Sequence, residues 1–141
     1  MVARTAIEYR QNGAKLVKDY SDKKVVVIDD NEMNLNVAVL KLKRYGMITT
    51  KGDSAKELFT LLKDNSYDLL ILDDMMPEMS GTEAMQRLKS ENYRVPIVVL
   101  TGNTENENAR RNYLSAGFDE FLAKPLNDGE LDRVLNMFLG S

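Results

Sequence analysis

Three short runs in this chain are wholly apolar, and each is followed by a stretch in which apolar residues recur at helical spacing. These runs cover residues 25–28, 69–72 and 97–100. An apolar run without alternation is typical of a strand that is buried on both faces of a parallel sheet. Residues 47–50 and 118–123 carry a weaker strand signal and complete a set of five predicted strands.

Each predicted strand is followed by a predicted helix whose start carries a capping signal. A polar N-cap residue accepts a hydrogen bond from the first helical turn, and a Glu three residues later completes a capping box. Alternating strands and helices of this kind favour right-handed βαβ connections. We therefore predict an α/β fold of the flavodoxin-like kind, a doubly wound five-stranded parallel sheet with strand order 2-1-3-4-5. The capping signals are Asn31, Ser54 with Glu57, Ser80 with Glu83, Thr104 with Glu107, and Asn127 with Glu130.

Residues 1–22 lie outside this alternation. Their apolar residues show only a weak helical spacing, which Gly13 interrupts. The segment is interpreted as a linker or as an extra helix that packs on the domain or on a second copy, and the sequence does not decide between the two. The predicted domain therefore covers residues 23–141.

Composition narrows the class of protein. The chain has 141 residues, of which 43% are hydrophobic and 29% charged, as in one ordinary globular domain. A net charge of −3 without a basic stripe makes nucleic acid an unexpected partner. The chain has no cysteine and no histidine, which excludes disulfides, ordinary zinc sites, Ser–His catalysis and a phosphohistidine of its own. No apolar run approaches the roughly 18 residues of a membrane span, so we expect a cytoplasmic protein without direct membrane contact.

Polar residues whose side chains can bind a metal or take part in a reaction follow four of the five predicted strands. Asp29 and Asp30 follow the first strand, Asp73 the third, Thr101 the fourth and Lys124 the fifth. Any one of them alone is ordinary, since polar residues commonly end strands. Because the carboxyl ends of parallel strands lie at one edge of the sheet, where such folds bind ligands, we expect all five side chains to converge.

The expected cluster has a definite chemistry. Three carboxylates at short range repel one another and stay ionised only beside a cation. Oxygen ligands without His or Cys suit a hard cation, Mg²⁺ or Mn²⁺. A carboxylate can attack phosphorus and form an acyl phosphate, while the metal and a Lys neutralise charge on the phosphoryl oxygens. A Thr hydroxyl is suited to donate a hydrogen bond to the attached phosphoryl group.

Four motifs of the chain resemble the receiver domain of two-component response regulators. They occur in the family's order over residues 24–139, so the likeness is specific although each motif is short. The run after the first strand is most similar to receivers attached to hybrid histidine kinases. The motifs are residues 26–31, residues 72–81, residues 99–102 and Lys124-Pro125.

The resemblance implies that Asp73 is the phosphoacceptor. The family's Met-Pro pair lies three and four residues after the acceptor, which here corresponds to Met76 and Pro77. Asp74 is then interpreted as an extra solvated carboxylate without a role.

The resemblance also implies roles for the other residues at this edge. Asp29, Asp30, Asp73 and the backbone carbonyl of Met75 would hold Mg²⁺. Thr101 would be the switch hydroxyl, and Phe121 the aromatic switch residue. Lys124 would be the partner of the phosphate, with a cis bond between Lys124 and Pro125.

The function that follows is phosphoryl transfer to Asp73 from a histidine on a histidine kinase or a histidine phosphotransfer protein. The expected output is a changed surface on the fourth helix, fifth strand and fifth helix, recognised by a downstream protein. Residues 1–22 or this same face are candidates for a homodimer contact, and a monomer fits the sequence equally well.

An enzyme is the alternative that the residues leave open. A phosphatase of the haloacid-dehalogenase kind also combines an Asp nucleophile, a Thr, a Lys and an acidic pair. It needs a second Asp two positions after the nucleophile, where this chain has Met75, and its nucleophile belongs on the first strand. We therefore expect a signalling domain and not an enzyme. Because neither Met75 nor Asn103 is an acid or base that could orient water, we also expect slow self-dephosphorylation.

Overall fold

Five parallel strands form one sheet in the order β2–β1–β3–β4–β5, with a helix after each strand. This computed structural model describes residues 18–102 and 108–140. The predicted fold class and strand order are confirmed. The elements are β1 Lys24–Ile28, α1 Glu32–Lys43, β2 Ile48–Gly52, α2 Ala55–Asp64, β3 Leu69–Asp73, α3 Gly81–Ser90, β4 Ile97–Thr101, α4 Ala109–Ala116, β5 Glu120–Ala123 and α5 Asp128–Leu139.

The sheet lies between two apolar layers. Successive side chains of a strand point to opposite faces, so Val25 and Val27 belong to one layer while Val26 and Ile28 belong to the other. The first layer contains the buried residues of α1 and α5, and the second contains those of α2 and α3. Every residue of β3 is buried, as its unbroken apolar run predicts.

The helix starts follow most of the predicted capping signals. The Asn31, Ser80 and Asn127 side chains each accept a hydrogen bond from the first turn of their helix, and Ser80 with Glu83 forms a complete capping box. Ser54 also caps its helix, but the Glu57 carboxylate accepts from the backbone of Asp53 and not of Ser54. The predicted box of Thr104 and Glu107 lies outside the described residues.

The fifth strand is shorter than predicted. Gly117 adopts a φ of +127°, which few L residues tolerate, and Phe118 donates its backbone N–H to the carbonyl of Tyr113. Phe118 therefore belongs to the turn that closes α4, while the backbone N–H of Asp119 donates to the carbonyl of Ile97 at 2.8 Å. The strand begins only at Glu120.

The described end of the 1–22 segment packs on the domain. Tyr20 is only 6% exposed and lies in the apolar layer of α1 and α5. Its backbone N–H donates to the carbonyl of Tyr45 at 2.7 Å, and the two rings lie 5.9 Å apart. Residues 1–17 lie outside the described part, so the choice between a linker and an extra helix stays a prediction.

Within residues 18–102 and 108–140, no helix is long and apolar enough to cross a membrane.

Candidate functional site

The register of the sheet places the ends of four strands side by side. Ile28 of β1 pairs with Leu72 of β3, so the residues that follow them, Asp29 and Asp73, are neighbours. On the other side of β3, Asp73 pairs with Leu100. The ends of β4 and β5 align in the same way, since Thr101 pairs with Ala123. Parallel pairing thus brings distant polar residues to one edge.

Three carboxylates meet at this edge. Asp29, Asp30 and Asp73 each offer an oxygen, and these oxygens lie within 4.8 Å of one another. Asp29 and Asp73 are only 1% and 3% exposed, whereas Asp30 is exposed. Asp29 Oδ1 accepts from the backbone N–H of Asn31 at 2.9 Å. Asp29 Oδ2 is buried without a well-directed hydrogen bond from any described residue, and a cation is the partner that such a carboxylate oxygen favours.

Lys124 joins two of these carboxylates. Its Nζ lies 2.9 Å from Asp29 Oδ2 and 3.0 Å from Asp73 Oδ1. The first contact is an ion pair without hydrogen-bond geometry, whereas the second is also a hydrogen bond. Burial alone would lower the pKa of Lys124, but Asp29 and Asp73 outweigh it and raise that pKa. The Lys124–Pro125 bond is cis, as the resemblance implies.

The charge of Lys124 does not fully compensate the cluster. Burial raises the pKa of Asp73 to about 6, and the charge of Asp29 adds to the rise. Hydrogen bonds from Lys124 and from the backbone N–H of Met75 oppose that rise. Two buried carboxylates and one exposed carboxylate share one ammonium, so further positive charge would be favourable here.

Thr101 lies at the end of β4, and Phe121 lies on β5 three positions before Lys124. Thr101 is fully buried, and its carbonyl accepts from the backbone N–H of Lys124 at 2.9 Å. Phe121 is half-buried and stacks on Tyr113 of α4, with ring centroids 5.8 Å apart. Thr101 is therefore linked to Lys124 through the backbone, and Phe121 belongs to the strand that leads to Lys124.

The loop after β3 folds closely back on the strand. The Gly81 N–H donates to the carbonyl of Asp74 at 3.0 Å, and a Cβ on Gly81 would lie 2.2 Å from the carbonyl oxygen of Asp73. Met75 is 69% exposed at the rim of the cluster. The role of its carbonyl as a metal ligand stays a prediction. Asn103 lies outside the described residues.

Asp74 is not a solvated extra carboxylate, and that interpretation is wrong. Its Oδ1 accepts from the backbone N–H of Thr82 at 3.0 Å and from Thr82 Oγ1 at 2.7 Å. Its Oδ2 accepts from the hydroxyl of Tyr113 at 2.9 Å. The sequence offered no sign of this, because Tyr113 lies 39 positions further along the chain.

Glu120 is a second acidic residue whose importance the sequence did not reveal. It is 3% exposed on β5 and accepts hydrogen bonds from Arg110 of α4 and Arg133 of α5. Burial alone would raise its pKa, but these hydrogen bonds outweigh that effect and hold the pKa below its ordinary value. A charged residue at an inward position of a predicted strand is the only local signal for such a partnered carboxylate.

Comparison with known proteins identifies relatives in a plant and in a bacterium. Histidine kinase 5 of Arabidopsis thaliana is 27% identical to this chain, over 87% of the chain and 16% of the relative. The aerobic respiration control sensor protein ArcB of Escherichia coli strain K12 is 31% identical, over 81% of the chain and 15% of the relative. The chain thus spans about a sixth of the length of these relatives. One of these relatives is a histidine kinase and the other a sensor protein, which confirms the expected likeness to receivers of hybrid histidine kinases.

A solved structure of similar fold adds to the comparison. The receiver domain of a sensor histidine kinase from Pseudomonas aeruginosa has a magnesium ion coordinated in its active-site cleft. It superimposes with a TM-score of 0.74 at 30% identity, covering 84% of this chain and 98% of that domain. The family of response regulator receiver domains itself matches residues 25–136. With that match over most of its length, and with the fold described above, the chain belongs to the response regulator receiver domain family.

Proposed function

We propose that this receiver domain accepts a phosphoryl group on Asp73 from a phosphohistidine of a histidine kinase or a histidine phosphotransfer protein. The observation that carries the proposal is the arrangement at the carboxyl edge of the sheet. There a buried Asp73 lies beside Asp29 and Asp30 and is hydrogen-bonded by Lys124. Domains of this family take part in phosphorelay signalling, and the related chains include a histidine kinase and a sensor protein.

The transfer exchanges one bond to phosphorus for another. An oxygen of the Asp73 carboxylate forms a P–O bond as the P–N bond to the donor imidazole breaks, and the electron pair of that bond returns to the imidazole nitrogen. The product is an acyl phosphate on Asp73. Lys124, held 3.0 Å from Asp73 Oδ1, supplies positive charge beside the phosphoryl oxygens as they gather charge. The buried Thr101 hydroxyl at the end of β4 is proposed to donate to the attached phosphoryl group.

The carboxylate cluster fits a small divalent cation, Mg²⁺ or Mn²⁺. Asp29 Oδ2 is buried without a hydrogen bond from the described residues, and three carboxylate oxygens lie within 4.8 Å of one another. Asp29, Asp30 and Asp73 would hold the ion, with the Met75 carbonyl as a further ligand. When bound, the ion supplies the positive charge that offsets these carboxylates and the phosphoryl oxygens.

The bound phosphoryl group is proposed to persist long enough to carry a signal. Met75 stands two positions after Asp73, and its thioether neither donates nor removes protons at neutral pH. The side chain there therefore gives no help to an attacking water. Slow self-dephosphorylation then makes the domain a switch and not a phosphatase.

A small acyl phosphate and Mg²⁺ test the assignment of Asp73. We expect a base-labile adduct of one phosphoryl group on the wild-type chain and none on Asp73→Asn, measured by intact mass and peptide mapping. Asp64→Asn serves as the matched control, because Asp64 is exposed at the end of α2, where the chain leads to the start of β3 at the opposite edge of the sheet. An adduct that persists in Asp73→Asn would refute the assignment, and steady turnover of phosphate esters would favour a phosphatase.

An exposed apolar stripe marks the surface that a phosphohistidine donor would contact. Met33, Val37 and Leu40 of α1 are 75%, 42% and 66% exposed. Their spacing of four and three residues places them on one face of the helix. The helix begins just after Asp30, so this stripe starts beside the carboxylate cluster. Because Asp73 is only 3% exposed, a donor protein has to contact the rim, and exposed apolar patches commonly mark protein contacts.

Leu40→Asp separates recognition of the donor from chemistry at Asp73. We expect transfer from a phosphorylated donor protein to slow by about fivefold or more, the effect of losing about 1 kcal/mol at a residue central to the contact. Phosphorylation by a small acyl phosphate should be unchanged, because Asp73 is untouched. Lys56→Asp on the exposed face of α2 is the control. Equal transfer rates for wild type and Leu40→Asp would exclude α1 from the contact.

A further inference from the structure

The residue after the proposed phosphoacceptor is anchored to α3. Asp74 Oδ1 accepts from the backbone N–H and the hydroxyl of Thr82, and the Asp74 carbonyl accepts from the N–H of Gly81. A carboxylate beside the first turn of a helix is favoured by the free N–H groups there and by the helix dipole. The side chain of Asp74 is therefore held in one orientation relative to Asp73.

The other oxygen of Asp74 is bound by a different helix. Tyr113 of α4 donates its hydroxyl to Asp74 Oδ2 at 2.9 Å. A hydrogen bond to an ionised acceptor is stronger than one between neutral groups. This bond therefore ties α4 directly to the residue adjacent to Asp73.

Tyr113 also determines what packs on β5. Its ring stacks on Phe121 at 5.8 Å with an interplanar angle of 29°, and it meets the edge of Phe118 at 5.9 Å. Phe121 lies three positions before Lys124, whose Nζ is bonded to Asp73. The contacts thus form a closed circuit from Asp73 through its neighbour Asp74, then Tyr113, Phe121 and Lys124, and back to Asp73.

We propose that Tyr113 is a positioning residue whose bond to Asp74 latches α4 and Phe121 in the arrangement of the unphosphorylated domain. This inference rests on the proposed function of Asp73. A phosphoryl group on Asp73 changes the charge and bulk facing Lys124, which lies at the other end of the circuit. The latch opposes the resulting movement of β5. Loss of the Tyr113–Asp74 bond therefore favours the phosphorylated arrangement, and by linkage that loss also favours phosphorylation of Asp73.

Tyr113→Phe tests the latch, since it removes the hydroxyl and keeps the ring that stacks on Phe121. With a small acyl phosphate and Mg²⁺, we expect the ratio of phosphorylated to unphosphorylated chain at a fixed donor concentration to rise by about fivefold, the lower end of ordinary coupling between sites. The amide chemical shifts of β5 should also move toward their phosphorylated positions before any donor is added. Asp74→Ala removes the acceptor altogether and should act in the same direction, and in that background Tyr113→Phe should have no further effect because the hydroxyl has already lost its partner.

Tyr45→Phe is the matched control. Its hydroxyl also donates to an aspartate, Asp132, but on the side of α1 and α5 away from the circuit. It should leave phosphorylation and the β5 amides unchanged. A wild-type extent of phosphorylation and wild-type amide shifts in a folded Tyr113→Phe, or additive effects of the two variants, would overturn the latch alone. Failure of the wild-type chain to form the Asp73 adduct would instead overturn the proposed function.

Discussion

Two adjacent aspartates at the end of β3 have different environments. Neighbouring residues of an extended chain point to opposite sides, so Asp73 enters the carboxylate cluster while Asp74 turns toward α3 and α4. Asp73 shares the ammonium of Lys124 with Asp29, and its burial raises its pKa to about 6. Asp74 accepts three hydrogen bonds from Thr82 and Tyr113. The pair thus combines a reactive carboxylate with a structural one.

The close approach of Gly81 to Asp73 is testable at the residue scale. In Gly81→Ala the new Cβ would meet the Asp73 carbonyl oxygen at 2.2 Å, a backbone atom that cannot rotate away. We expect the free energy of unfolding to fall by about 1 to 3 kcal/mol, the usual cost of overpacking. Phosphorylation of Asp73 should slow as well, because the loop has to shift. Urea unfolding and the adduct assay measure the two effects.

Gly102→Ala is the control for that prediction. A Cβ on Gly102 would meet no described residue within 4 Å, and the residue follows Thr101 at the same edge of the sheet. Its free energy of unfolding should stay the same or rise by about 0.4 to 1 kcal/mol, since Ala restricts the unfolded chain. Equal stability of the two variants would mean that the loop after β3 is not tightly packed.

At the scale of elements, α4, β5 and α5 are joined by one buried carboxylate. Arg110 binds both oxygens of Glu120, at 3.1 and 2.9 Å, and Arg133 binds one of them at 3.1 Å. A buried carboxylate is costly without such partners. These three elements form the surface expected to signal, so Glu120 connects them within the domain. The face is therefore held by an ionic contact at Glu120 and by the Tyr113–Phe121 stack.

The ionic contacts of Glu120 with Arg110 and Arg133 predict that the stability of the fold depends on pH. Because the pKa of Glu120 in the folded chain lies below its ordinary value of 4.5, its charge stabilises the fold fully above that value. The contribution is lost as the pH falls through the lower folded pKa. The difference in unfolding free energy between wild type and Glu120→Gln should therefore be largest near neutral pH and should shrink below about pH 4.5.

Glu91→Gln provides the comparison for this titration. Glu91 pairs with Arg87 on the surface, with both side chains more than half exposed. Such a pair contributes little, so its unfolding free energy should follow that of wild type at every pH. A difference for Glu120→Gln that does not change with pH would show that its charge does not stabilise the fold.

At the scale of the whole molecule, the parallel sheet places three carboxylates close together, and their repulsion lowers the stability of the fold. Adding Mg²⁺ should raise the thermal unfolding temperature, because an ion that binds only the folded cluster stabilises it. Asp30→Asn should lose that rise. Without added metal, Asp30→Asn should unfold at a higher temperature than wild type, because one of three mutually repelling carboxylates is gone.

Differential scanning calorimetry with and without Mg²⁺ measures both effects. Asp64→Asn lies away from the cluster, at the end of α2, and should respond to the metal as wild type does. An equal rise in unfolding temperature for Asp30→Asn and wild type would remove Asp30 from the metal site.

The predictable part of the fold consists of features that recur at short range. The apolar runs of β1, β3 and β4 mark buried strands by themselves, and the caps at Asn31 and Ser80 act within four residues. The boundary of β5 was less predictable, since Phe118 is apolar and buried yet belongs to the turn after Gly117. Hydrophobicity indicates burial there without indicating backbone geometry.

The sequence by itself determined the parallel sheet and hence the meeting of Asp29, Asp30, Asp73 and Lys124. Residues at the ends of parallel strands have to share one edge, whatever the details of packing. Only the tertiary structure decided which side chains bind Asp74 and Glu120 and where Tyr20 packs. Asp74 finds Tyr113 across 39 positions, and Glu120 finds partners on two helices. Such pairs depend on how helices lie over the sheet and on side-chain direction, which no local pattern of residues specifies.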